Sequence, residues 1–238
     1  IGRCIAMLLG LGLVFGAGSA AANQFVVVAS TQAAWKPGQI VPAGATFDVP
    51  AGGKLTLLGA DGSRVHIRGP YRGAPAVGAA AADGGRMLQQ IAQLVSRERT
   101  DNGTLGATRT TTLAQPSDRD PLSIDVTRSG TQCVAAGKPP VLWRIAHASA
   151  ATGTVVRVGT DQQGAIRWGS GDRVTAWPQA VAVIAGARYV IRLRDRPQPT
   201  EVELKLLPDN LPSVGHQALW MNDQGCAEQA RLLLQIEE

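Results

Sequence analysis

An enzyme or a metal protein needs side chains of particular types brought together, and histidine is the first place to look. His66, His147 and His216 are far apart along the chain, and none stands at a zinc-ligand spacing from another His or from Cys. The patterns HExxH and CxxC are absent. So are the Gly-x-Ser-x-Gly turn of serine hydrolases and the Walker A phosphate loop; Gly169-Ser170-Gly171 and Gly84-Gly85 lack the strand and helix flanks that a phosphate cradle requires. Carboxylates such as Asp48 and Asp61 could cleave a glycosidic bond only at a fixed separation in space, which alternating strands do not specify. No catalytic residue, cofactor-binding residue or metal ligand is assigned.

Flat aromatic faces are the remaining candidates. Trp143 in an apolar run and Trp220 in a helical pattern are core positions, whereas Trp177 precedes Pro178 in a loop between strands, where exposure is favoured. Trp177 and Trp168 are therefore the candidate contacts for a carbohydrate or peptide ligand. Against this, a chain with only 3 Phe and 2 Tyr needs its tryptophans for packing, so the set as a whole is expected in the core.

The cysteines point to a compartment. Arg3, an apolar run over residues 4–17 and the small residues Gly18 to Ala22 have the form of a secretory signal peptide over residues 1–22, cleaved before Asn23. About 14 apolar residues fall short of the roughly 20 that span a bilayer, so no stable membrane span is expected after cleavage. Processing removes Cys4 and leaves Cys133 and Cys226, an even number in an oxidising compartment. A disulfide between them is the leading expectation, with two separate buried thiols as its alternative. The formal charge of +5 comes from arginines scattered among acids and apolar residues, such as Arg64, Arg97, Arg144 and Arg192. That dispersal argues against nucleic acid as a partner. An envelope or periplasmic protein is the expected partner.

The elements that must position these residues follow from periodicity. Residues 25–28, 45–49, 54–58 and 64–68 read as short strands, with Asp61-Gly62 as a type I′ hairpin turn. Met87, Leu88, Ile91, Leu94 and Val95 mark one face of a helix that should cover the preceding sheet. Residues 100–121 are rich in breakers and form the expected linker. Strands resume at 122–126, 141–145, 154–158, 165–168, 180–184, 189–193 and 201–206, a spacing that suggests a β-sandwich. Residues 213–238 favour two short helices. The organisation is thus a signal peptide (1–22), a β domain with a following helix (23–99), a linker (100–121) and a sandwich with a helical tail stapled back on it (122–238). Cys133, Trp143 and Tyr189 suggest an Ig-like core, although Cys226 lies in the tail rather than on a strand.

Residues 26–73 resemble the FecR-like periplasmic domain of bacterial iron-uptake regulators and other exported proteins. The likeness lies in Lys36-Pro37-Gly38-Gln39 followed by Gly44, in Gly53 to Leu58, in Asp61-Gly62-Ser63 and in Gly69-Pro70. Residues 138–144 and 219–226 are similar to the C-terminal parts of exported proteins carrying such a domain. The resemblance implies a small β-rich fold and signal sensing or protein contact in the periplasm. Such regulators carry a cytoplasmic segment and a membrane helix before the domain, where this sequence has a signal peptide, which favours an accessory role over direct anti-sigma activity. The reading is a non-enzymatic periplasmic binding, sensing or accessory protein. Its alternatives are an enzyme acting on envelope polysaccharide and a structural subunit of an envelope complex.

Overall fold

A computed structural model describes residues 24–76, 78–103, 119–145 and 149–236. The expected signal peptide, Cys4 and His147 lie outside the described residues. What is described is mainly β. The first strands are β1 (Gln24–Ser30), β2 (Ile40–Pro42), β3 (Phe47–Val49), β4 (Lys54–Gly59), β5 (Arg64–Arg68) and β6 (Tyr71–Gly73). An antiparallel sheet runs in the order β2-β1-β4-β5, and β3 pairs with β6 alongside it.

Phe25, Val26, Val27 and Val28 are all fully buried, because both faces of β1 are covered. Phe25 and Val27 meet Phe47, Leu55, Leu57 and Ile67 on one side, while Val26 and Val28 meet helix α1 (Gly84–Gly103) on the other. A continuous apolar run in place of alternation is what a strand between two layers requires. Met87, Leu88, Ile91, Leu94 and Val95 are buried as the helical stripe predicts.

The Asp61-Gly62 hairpin forms, but not as a type I′ turn. Only glycines have positive φ among the described residues, and of the two turn residues only Gly62 does, at +78°. Asp61 instead accepts hydrogen bonds at Oδ1 from the Ser63 amide and hydroxyl, an Asx turn that leaves a single left-handed position for glycine.

The following strands are β7 (Ile124–Asp125), β8 (Gly130–Ala135), β9 (Val141–Trp143), β10 (Ala151–Arg157), β11 (Gln163–Trp168), β12 (Val174–Ala176), β13 (Arg188–Leu193) and β14 (Thr200–Leu207). They make a five-stranded sheet, β11-β10-β13-β14-β8, and a three-stranded one, β12-β9-β7, whose inward residues share one core. The β14–β8 and β7–β9 pairings are parallel. Two differences from the sequence reading have clear causes. β8 was not expected, because its apolar residues serve two layers: Val134 faces the strand core while Cys133 faces the tail helices. Residues 180–184 form no strand. There a loop folds around side chains: Tyr189 Oη donates to the Ala182 carbonyl and accepts from the Ile184 amide, and Gln162 Oε1 accepts from the Ala182 amide.

The tail forms α2 (Val214–Asp223) and α3 (Ala227–Gln235). Its apolar face does not pack on the strands of its own half alone. Ala218, Met221, Ala230 and Leu234 share a core with Val26, Val28, Leu58 and the stripe of α1. Arg64 Nη1 donates to the carbonyls of Leu233 and Ile236, and Arg231 Nε to that of Leu94. Of the expected linker, the first residues belong to α1, which runs to Gly103, and Arg119 is buried, while residues 104–118 lie outside the described residues. The two halves are thus held by a shared apolar core. With a specific-protease site inserted within residues 104–118, the cleaved halves should co-elute in size-exclusion chromatography and part only in denaturant. Separate elution in native buffer would show that this core is too weak to hold them.

Candidate binding site

Where the tail meets the strands, two buried glutamines stand in for strand partners. Gln132, on β8, accepts at Oε1 from the Asp125 amide at 2.7 Å and donates through Nε2 to the carbonyls of Asp125 and Arg128. Gln229, on α3, accepts from the Cys133 amide at 2.8 Å and donates to the carbonyls of Pro121, Ser123 and Cys133. Every amide group of these side chains is used on backbone that no sheet ladder reaches, which is how buried backbone polar groups are satisfied away from regular pairing. The expected disulfide joins Cys133 to Cys226 beside them, with Cα atoms 5.9 Å apart. Cys226 is also the residue that opens α3.

These elements frame a cleft of about 350 Å³. One wall is residues 128–132, the end of the β7–β8 turn and the start of β8, and the other is the segment from Gly225 to Leu232 at the start of α3. Arg119 and Asp125 also line it. Arg119 is only 4% exposed; its Nη1 meets Asp125 Oδ2 at 3.0 Å, and its guanidinium carbon lies 4.6 Å from the centre of the Trp143 ring. Asp125 Oδ1 accepts in turn from the Thr127 amide and hydroxyl. Burial pushes the Arg119 guanidinium below its usual pKa; Asp125 and Glu228 pull it back, and Arg128 adds to the fall. Arg119 Nε is buried with no hydrogen-bond partner among the described residues. At the mouth Arg128 pairs with Glu228. The arrangement offers fixed N–H and O–H donors and a small cationic surplus, which is the chemistry of recognition by charge-assisted hydrogen bonds.

The tryptophans are placed otherwise than the loop position of Trp177 suggests. Trp177 is 5% exposed, its Nε1 donates to the Val181 carbonyl at 2.7 Å, and its ring meets Tyr189 edge-on. Pro178 does not push it outward, because the loop over residues 178–184 folds back on the core. Trp168 is fully buried under the Arg144 guanidinium, which itself holds the loop carbonyls of Ser149, Gly169 and Asp172. Neither ring offers a flat face to solvent, so the expected exposure of Trp177 is corrected. Arg144, one of the arginines scattered in sequence among acids and apolar residues, is likewise buried.

One constellation has the residue types of a hydrolase. Ser213 Oγ lies 2.7 Å from His216 Nδ1, and His216 Nε2 lies 3.5 Å from Asp83 Oδ2. Ser213 is the residue that caps α2, its oxygen accepting from the His216 amide, and the Gly62 backbone closes over it so tightly that a Cβ there would strike the hydroxyl. The trio thus ties the start of α2 to the residue before α1, and the packing of Gly62 on Ser213 leaves no space for an acyl group on that side. Asp48 and Asp61 do not converge either: Asp48 pairs in β3 with Arg72 of β6, while Asp61 binds Ser63 in its own turn. Among the described residues no group of three His, Cys, Asp or Glu could hold a metal ion. No helix there is long and apolar enough to cross a membrane.

The sequence reading missed the cleft. Its one signal was alternation at residues 122–126, which puts Ser123 and Asp125 together on a polar face; the structure buries that face under α3. Compared with known proteins, the chain matches no family model, no curated relative and no solved structure.

Proposed function

We propose that this protein is a non-enzymatic binding or sensor-accessory module that works in the periplasm. The observation that carries the reading is the cleft, in which buried donors are held by a disulfide and two glutamine clamps where the tail helices meet the strands of the second half. Rigid donors placed by a supporting shell serve recognition. The signal-peptide pattern and a disulfide suited to an oxidising compartment support export.

For the fold, the reading assigns residues 26–73 to a FecR-like module and the later strands to an Ig-like sandwich. The tyrosine near the start of β13, whose hydroxyl donates to a carbonyl seven residues upstream, supports the second assignment, since Ig-like domains carry such a tyrosine corner. The strand orders of the two facing sheets agree with it.

The test is a pull-down of the mature protein from periplasmic extract, run beside an Arg128→Glu variant. A stoichiometric partner retained by the parent protein and lost by the variant supports the reading. Release of sugars from envelope polysaccharide by the purified protein would replace it with the enzymatic alternative. Sequencing of the N-terminus in the periplasmic fraction should begin at Asn23.

A further inference from the structure

We infer that the cleft between β8 and the start of α3 binds a small carboxylate-bearing monoanion. The inference rests on the reading of this protein as a binding module and names the chemistry of its ligand.

Charge sets the class. Three arginines, Arg119, Arg128 and Arg231, line the cleft together with two carboxylates, Asp125 and Glu228. Both carboxylates are engaged, Asp125 by Arg119 and by Thr127, Glu228 by Arg128. The surplus is therefore one positive charge, to which the start of α3 adds the partial positive charge of a helix N-terminus. That terminus has no side-chain cap. A single negative charge balances such a site, whereas a phosphate dianion would face the two resident carboxylates with too few cations.

The second, independent observation is Arg119. It is buried, it lines the cleft, and it holds Asp125 through Nη1 alone. Among the described residues its Nε has no acceptor. A guanidinium presents its donors as a planar fork, and the edge that carries Nε is one of the two that match a carboxylate. A buried donor without a partner is costly, and no group among the described residues relieves the cost here. Nε is closed to solvent in this structure, so a carboxylate seated in the cleft supplies the missing acceptor once the Arg119 guanidinium turns this edge toward it. The remaining lining fits the polar body of such a ligand: the hydroxyls of Ser129 and Thr131 and the backbone of Gly130 on one side, Gly225 and Ala227 on the other. At about 350 Å³ the space suits a molecule no larger than a hydroxy acid or the last residue or two of a peptide.

The experiment titrates the disulfide-intact mature chain with acetate, lactate, inorganic phosphate and a tripeptide with either a free or an amidated C-terminus, at constant ionic strength. Binding is read by calorimetry and by the rise in melting temperature. At least one carboxylate should bind saturably with a stoichiometry of one, and the amidated peptide should not bind. Preference for the free-ended peptide over lactate would identify a peptide terminus as the source of the carboxylate; the reverse preference would identify a free acid. Arg128→Gln, at the exposed mouth, should keep the fold and weaken binding about tenfold or more, as expected for loss of a charge-assisted hydrogen bond. Arg119→Lys, which keeps the charge but loses the fork, should weaken it as well. No saturable binding by any carboxylate, equal binding by the two peptides, tighter binding of phosphate, or unchanged affinity in Arg128→Gln would each overturn the inference. The pull-down reports separately, so a retained protein partner with no carboxylate binding would overturn this inference and leave the binding-module reading standing.

Discussion

Cys226→Ser, or reduction of the parent protein, should lower stability by about 2–5 kcal/mol, the range for native disulfides in small secreted domains. Part of the effect is entropic. The bond closes a separation of 93 residues, and loops of that length restrict the unfolded chain by roughly 4–5 kcal/mol in the chain-entropy model. The rest depends on what the bond holds. Cys133 is fully buried and Cys226 nearly so, both in the core shared with Leu207, Ala218 and Met221. Cys226 also opens α3, so freeing it loosens the helix that carries Gln229 and Leu234. Thermal melts with and without reductant measure the loss. Thiol titration of the denatured, unreduced mature protein should find no free cysteine. Two titratable thiols and identical melts would show that the pair acts only as small buried hydrophobes. Carboxylate binding should fall along with stability, because Cys226 lines the cleft.

This cross-link was legible because parity and compartment restrict two cysteines to few alternatives, whatever the fold. The face of α1 was legible for a different reason: Met87, Leu88, Ile91, Leu94 and Val95 recur at the helical period, and one covered face is enough to produce that pattern. Sequence pattern failed wherever an element serves two layers or is held by side chains. β8 carries adjacent buried residues, Cys133 and Val134, that face different cores, so neither a two-residue nor a helical period marks it. The loop over residues 180–184 has the apolar composition of a strand, yet its backbone bonds to Tyr189 Oη and to Gln162. Periodicity cannot show where such partners come from. Trp177 was misjudged for the same reason, since a loop that folds onto the core buries what a loop over the surface would expose.

The cleft was the least legible feature. Arg119 lay in a breaker-rich segment that composition marks as linker, and the residues that meet it come from the β7–β8 turn and from a helix more than 100 positions later. A buried charge pair is set by long-range placement of two elements, while composition reports only averages over neighbours. What the sequence could show was the polar face of residues 122–126, whose burial only the docking of α3 decides.

The same docking supplies the second large effect, at Gly62. The glycine has φ +78° in the β4–β5 turn, where any other residue is strained, and its Cα packs against the start of α2. The Gly215 amide donates to the Gly62 carbonyl at 3.2 Å, and a Cβ on Gly62 would run into the Ser213 side chain. Gly62→Ala should therefore cost about 2–4 kcal/mol, the sum of left-handed strain and overpacking against the Ser213 side chain, which is held in place as the helix cap. Gly52→Ala separates the two contributions. Gly52 has the same φ of +78° but open space where its Cβ would lie, so strain alone remains, about 1–2 kcal/mol. The difference between the two variants, read from chemical denaturation, measures how closely the tail is seated on the first sheet. Ser213→Ala in the Gly62→Ala background should recover part of that difference, offset by about 1 kcal/mol for the lost helix cap, and the double-mutant cycle isolates the contact. Equal costs at Gly62 and Gly52 would mean that α2 yields without penalty. The tail would then be held to the first sheet by α1 and α3 rather than by the Gly62–Gly215 contact.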